Sequence, residues 1–229
     1  MLVVRHLQST TSDLAGRKAF HNEAVAVLKR AMRGSGWRKR ETRLYRQVGD
    51  WAAGAKFMVA SNRQESGVEI EVKPMALDDL MWEISSACGY PGENLPFGAR
   101  FWSSARCAVP VARTRWWPDD GLTAEDTVER LFAELARAPD LIEVMKSGSF
   151  AAYLEGYREA NDRFDFGSAR VVAHICEGRP DTARGIAKDI LENPRSRSTT
   201  LRFKGQDGEV RQFEELALIW LDQQGRKRQ

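Results

Sequence analysis

Across residues 12–33 the apolar side chains Leu14, Phe20, Val27, Leu28 and Met32 recur at roughly helical spacing. That period predicts a first helix, with Ser12 as N-cap and Asp13 at the positive end of its dipole. Lys29, Arg30 and Arg33 crowd its last turn, and Gly34 and Gly36 supply the stop. The period then changes. Val68, Ile70 and Val72 alternate with Glu69, Glu71 and Lys73, the pattern of a strand with one wet face. Residues 44–48 and 56–61 read as two more strands, and the short Gly, Asn and Asp connections favour an antiparallel meander. Because Glu69 and Glu71 project alike, cations on a neighbouring strand are expected to pair with them.

Further along, residues 78–86 predict a short helix, 89–98 a loop, and 105–116 a strand that Pro110 assigns to a sheet edge. Pro118, Asp119, Asp120 and Gly121 spell a turn. Beyond Leu122 the helical period dominates. Thr123 caps a segment striped by Val128, Leu131, Phe132 and Leu135, and further helices are expected over 140–146, 150–163, 168–177 and 181–192. A short strand near 200–203 and a closing helix over 209–224, with Phe213, Leu216, Ile219 and Trp220 inward, complete the reading. The fold expected is α+β: an N-terminal helix on an antiparallel meander over residues 1–121, then a helical part over 122–229 packed on it.

The chain has 229 residues, 42% hydrophobic and 29% charged, within the range of globular proteins and outside that of disordered chains. No apolar run is long enough to span a bilayer, and the first residues lack the pattern of a signal peptide. A soluble, cytoplasmic protein with no membrane partner is expected. Cys88, Cys107 and Cys176 are scattered and form no CxxC pair, so no zinc or dithiol redox site is predicted.

Charge is uneven. Residues 1–116 hold 18 Lys and Arg against 11 Asp and Glu, whereas 117–229 hold 17 against 21. The cations concentrate in residues 17–46. There Arg38, Lys39, Arg40, Arg43 and Arg46 surround Trp37 and Tyr45, a composition that can hold nucleic acid by phosphate contact and stacking. No RNA- or DNA-binding motif accompanies them. A second cluster, Arg113, Arg115, Trp116 and Trp117, combines arginine with large aromatic rings as protein interfaces do.

Catalytic signatures are missing. The glycines at 34 and 36 follow a helix and lack the lysine of a phosphate loop, and no HExxH, GxSxG or EF-hand loop occurs. His174 and Cys176 are two apart on an expected helix and face different ways. Glu69 and Glu71 share a strand face at a spacing that could hold a metal or a proton, but cross-strand ion pairing accounts for them more simply. No catalytic residue, metal ligand or cofactor is assigned.

Two stretches together resemble a family. GWRKRETRLYR at 36–46, after a helix, is similar to a helix followed by Gly-Phe-Lys-Lys-x-Gly-x-x-Phe-x-Arg, with Trp37 in the first aromatic place. RTRWWPDDGLTAEDTVERLFAELARAPDLIEVMKS at 113–147 is similar to that family's Trp-Trp pair, amphipathic helix and short second helix. Over residues 12–155 the chain thus resembles the bacterial domain of unknown function 4304. Glu41 replaces a usual glycine, and Ala60-Ser61-Asn62 stands where a Gln-x-Ser signature is expected. The resemblance implies a helix packed on an antiparallel sheet followed by helices, and brings no catalytic residues.

The functional expectation is a noncatalytic bacterial protein that binds another protein through Arg113, Arg115, Trp116 and Trp117. Nucleic-acid binding through Trp37, Arg38, Lys39, Arg40, Arg43 and Arg46 is the alternative, and an enzyme with dispersed residues the third.

Overall fold

The first helix, α1 (Thr11–Ala31), ends where its glycines allow the chain to reverse. Gly34 and Gly36 take φ of 76° and 77°, in the left-handed region that side chains disfavour. The chain then forms a hairpin of β1 (Arg38–Arg40) and β2 (Arg43–Val48), with Arg38 opposite Tyr45, Lys39 opposite Leu44 and Arg40 opposite Arg43. The sequence reading placed one strand after the helix stop. Two form, and the polar run of 38–43 contains no apolar alternation by which the sequence could mark the reversal. The computed structural model describes residues 11–40, 43–58, 66–90, 109–116, 122–160, 166–193, 201–205 and 208–227; for Arg40 and Trp116 it describes the strand each occupies but not the side chain. The expected loop at 91–98 and turn at 118–121 lie outside these residues.

β3 (Trp51–Met58), β4 (Ser66–Pro74) and β5 (Val109–Trp116) complete an antiparallel sheet of order β1-β2-β3-β4-β5. β3 begins five residues before the expected start, because Ala52, Ala53 and Ala55 are small enough to be covered completely. Between β4 and β5 lies α2 (Ala76–Ala87). The α+β expectation of an N-terminal helix, a meander and a helical C-terminal part is met.

The chain divides into two compact units. One comprises Met1–Arg46, Gly54–Glu71 and Pro110–Ala138. In it α1 packs against α3 (Ala124–Leu135), and Leu28, Leu44, Ile70, Val128 and Leu131 are buried. Thr123 caps α3 as expected: its Oγ1 accepts the Asp126 N–H at 3.1 Å while its own N–H donates to Asp126 Oδ2 at 2.9 Å.

The other unit comprises Gln47–Ala53, Val72–Val109 and Pro139–Gln229. Its described helices are α2, α4 (Ala138–Lys146), which begins one residue inside the first unit, α5 (Phe150–Ala160), α6 (Gly167–Cys176), α7 (Pro180–Glu192) and α8 (Phe213–Lys227). A second hairpin, β6 (Arg202–Lys204) with β7 (Val210–Gln212), precedes α8. The expected closing helix therefore starts at Phe213 rather than at 209. The Gln212 N–H donates to Glu215 Oε2 at 2.9 Å, satisfying a donor at the helix start, and Phe203 anchors the hairpin against Trp82 and Phe213. Leu216 and Leu221 are buried on α8, while Ile219 and Trp220 are only half-buried. Among the described residues no helix is long and apolar enough to cross a membrane.

Candidate functional site

Alternate side chains of β4 project to one side, so Gly67, Glu69 and Glu71 share a face. Glu71, only 5% exposed, accepts from Arg43 Nη1 at 2.7 Å and meets Lys56 Nζ at 2.8 Å. Glu69 meets the same Lys56 Nζ at 3.2 Å and Arg113 Nε at 3.8 Å. Three cations from β2, β3 and β5 thus converge on two carboxylates of β4, as the alternation of residues 68–73 anticipates. Burial would lower the Lys56 pKa, but its contacts with Glu71 and Glu69 outweigh that and hold it above the ordinary lysine value.

A side chain at position 67 would place its Cβ 2.8 Å from the Thr114 carbonyl oxygen and 3.5 Å from Arg115 Cα and Cγ. Glycine is required there for β5 to approach β4. Gly67 lies beside Arg115 and Glu69 beside Arg113, so numbers fall along β5 as they rise along β4, the mark of antiparallel pairing. Arg113 and Arg115, two apart, occupy the same face as the carboxylates. Arg113 is 52% exposed, and Arg115 is exposed. Trp116 ends β5; Trp117 lies outside the described residues.

The cations of 38–46 are divided by the hairpin register. Arg38, exposed, is opposite Tyr45, and Arg40 is opposite Arg43. Lys39 is opposite the buried Leu44, with its Nζ 6.0 Å from the Phe57 ring centroid. Arg46 lays its guanidinium over Gly36. Trp37 is 6% exposed and offers no open ring for a base to stack on. The run is therefore not one continuous stripe: a strand turns successive side chains to opposite faces.

Lys56 and Gly67 were missed as members of this face. Lys56 interrupts the otherwise apolar and small run of β3, which is a legible signal; Gly67 carries none, because the close approach it permits involves a strand far along the chain.

The remaining reactive groups do not assemble a catalytic site among the described residues. Cys88 Sγ donates to the Leu216 carbonyl at 3.4 Å. Cys176 lines a cavity of about 230 Å³ with Trp51, Leu77, Met145, Phe150 and Ala173, and its Sγ points at the Ala76 carbonyl from 4.0 Å. Cys176 is exposed as a residue, but the protein packed around its sulfur, with the nearby Glu177 charge, pushes this thiol up to about 11, so it is protonated at neutral pH. His174, buried, places Nε2 3.3 Å from Glu155 Oε1, which also accepts from Arg170 Nε at 2.8 Å. Burial would raise the Glu155 pKa, yet the Arg170 and His174 contacts bring it below the usual carboxylate value. Glu177 is engaged by Ser149 Oγ at 2.5 Å, the Ala151 N–H at 2.9 Å and Arg179, closing the start of α5. Among the described residues no group of three or more His, Cys, Asp or Glu could share a metal ion. His6 and Cys107 lie outside those residues.

No protein-family model matches the chain, and neither a curated protein nor a solved structure matches it.

Proposed function

We propose that the chain is a noncatalytic, cytoplasmic bacterial protein-interaction domain that binds its partner through β5 and the charged face beside it. The supporting observation is the exposure of β5. It closes one side of the sheet, and every residue from 110 to 115 is at least partly exposed, whereas β3 and β4 bury most of theirs. Arginine is favoured at interfaces because its planar fork makes several directed hydrogen bonds. The contact with Glu69 limits the freedom Arg113 would lose on binding. Nucleic-acid binding draws less support: the register separates Lys39 and Arg46 from Arg38 and Arg43, Arg43 is engaged with Glu71, and Trp37 is buried.

The test compares native protein with an Arg113→Gln/Arg115→Gln variant whose circular dichroism is unchanged. Both are immobilised and exposed to bacterial lysate, with recovered proteins quantified by mass spectrometry. Nucleic-acid affinity is followed by anisotropy across a salt series. Expected are proteins whose recovery falls about tenfold in the variant, a loss near 1.4 kcal/mol, with no salt-dependent nucleic-acid binding. Equal recovery from both proteins would overturn the reading. Steeply salt-dependent nucleic-acid affinity, lost in an Arg38→Ala/Lys39→Ala/Arg40→Ala variant, would replace it with the alternative.

A further inference from the structure

We infer that β5 accepts an extended acidic segment of a partner protein as a sixth strand, with carboxylates at alternate positions of that segment beside Arg113 and Arg115; this rests on the interaction reading above. An edge strand presents a row of main-chain N–H and C=O groups that can template another strand. β5 has eight residues where the opposite edge, β1, has three, and among the described residues no strand lies on its outer side. Pro110, which lacks an N–H, is confined to the start of β5, so residues 111–115 keep theirs.

The side chains specify the occupant. Arg113 and Arg115 stand on one face with the pitch of alternate strand residues, about 7 Å, and carboxylates two apart on an added strand share that pitch. Arg113 meets Glu69 through Nε, and a guanidinium fork has five N–H donors in all, more than that contact uses. A second copy of this chain paired through residues 112–116 fits poorly. Antiparallel self-pairing about Thr114 would set Arg113 against Arg115, and like charges directly opposite are destabilising. An acidic strand reverses that sign.

The probe is a short end-blocked peptide of alternating threonine and glutamate, titrated into the whole protein. Its isomer, with the glutamates in one block, has the same charge but spreads them over both strand faces. Expected are about tenfold tighter binding of the alternating peptide, slowed exchange of the alternate amides within 111–115 that face away from β4, and loss of binding both in the Arg113→Gln/Arg115→Gln variant and on N-methylation of alternate peptide amides. Equal affinity for the two isomers, or binding without protection of those amides, would overturn strand addition. The lysate comparison separates the two claims. If recovery still depends on Arg113 and Arg115, the interaction reading stands without strand addition; if it does not, both fall.

Discussion

Arg43 Nη1 and Glu71 Oε2 stand 2.7 Å apart although a whole strand separates β2 from β4, and that intervening strand contributes Lys56 to the same carboxylate. Glu71 is therefore the point at which three strands are tied on the polar face. Replacing it with glutamine leaves two cations beside a neutral group. The expected loss is about 1–3 kcal/mol in urea unfolding, below the range for a fully buried pair because Arg43 and Lys56 partly reach solvent. Glu69→Gln, at a more exposed carboxylate, should cost less. The raised Lys56 pKa sets the alkaline limit: its contribution is complete below the ordinary lysine value of 10.5 and is lost as pH rises through the higher folded value.

Lys73 and Asp78 form a different kind of pair, both 0% exposed, with Nζ 3.0 and 2.9 Å from the two carboxylate oxygens. The contact ties the end of β4 to the first turn of α2. Removing one partner, as in Lys73→Met, should cost about 3–5 kcal/mol by leaving a buried charge. Lys73→Met with Asp78→Leu should recover most of that loss, as a double-mutant cycle would measure.

Gly67→Ala brings a methyl group against the Thr114 carbonyl, a backbone atom that cannot swing aside. A destabilisation of about 1–3 kcal/mol is expected. Amide exchange should locate it, quickening at residues 111–115 while the exchange of α3 stays near native.

Cys176 should react slowly with iodoacetamide at neutral pH. The rate should climb roughly in proportion to hydroxide concentration until it levels near the thiol pKa of about 11. A plateau near pH 8 would show the thiol to be unperturbed.

Much of the fold was legible because its signals are local. The glycine stop of α1, the Thr123 cap and the alternation that sets Glu69 and Glu71 on one face each lie within a few residues. The cross-strand pairing of those glutamates was also readable, since strand parity follows from numbering alone. Strands at β2 and β6 were expected near 44–48 and 200–203, but their hairpin partners β1 and β7 were not, because three-residue strands carry too few positions to show a period.

From its own pattern, then, the sequence determined the α+β class, the polar side of β4 and the edge character that Pro110 lends to β5. Tertiary structure alone decided which cations meet Glu69 and Glu71, how the hairpin divides the basic run of 38–46, and that Gly67 admits Arg115. The physical reason is range. Caps and strand parity are set by neighbours in the chain, whereas an ion pair such as Glu69 with Arg113 joins groups that only the sheet brings within reach.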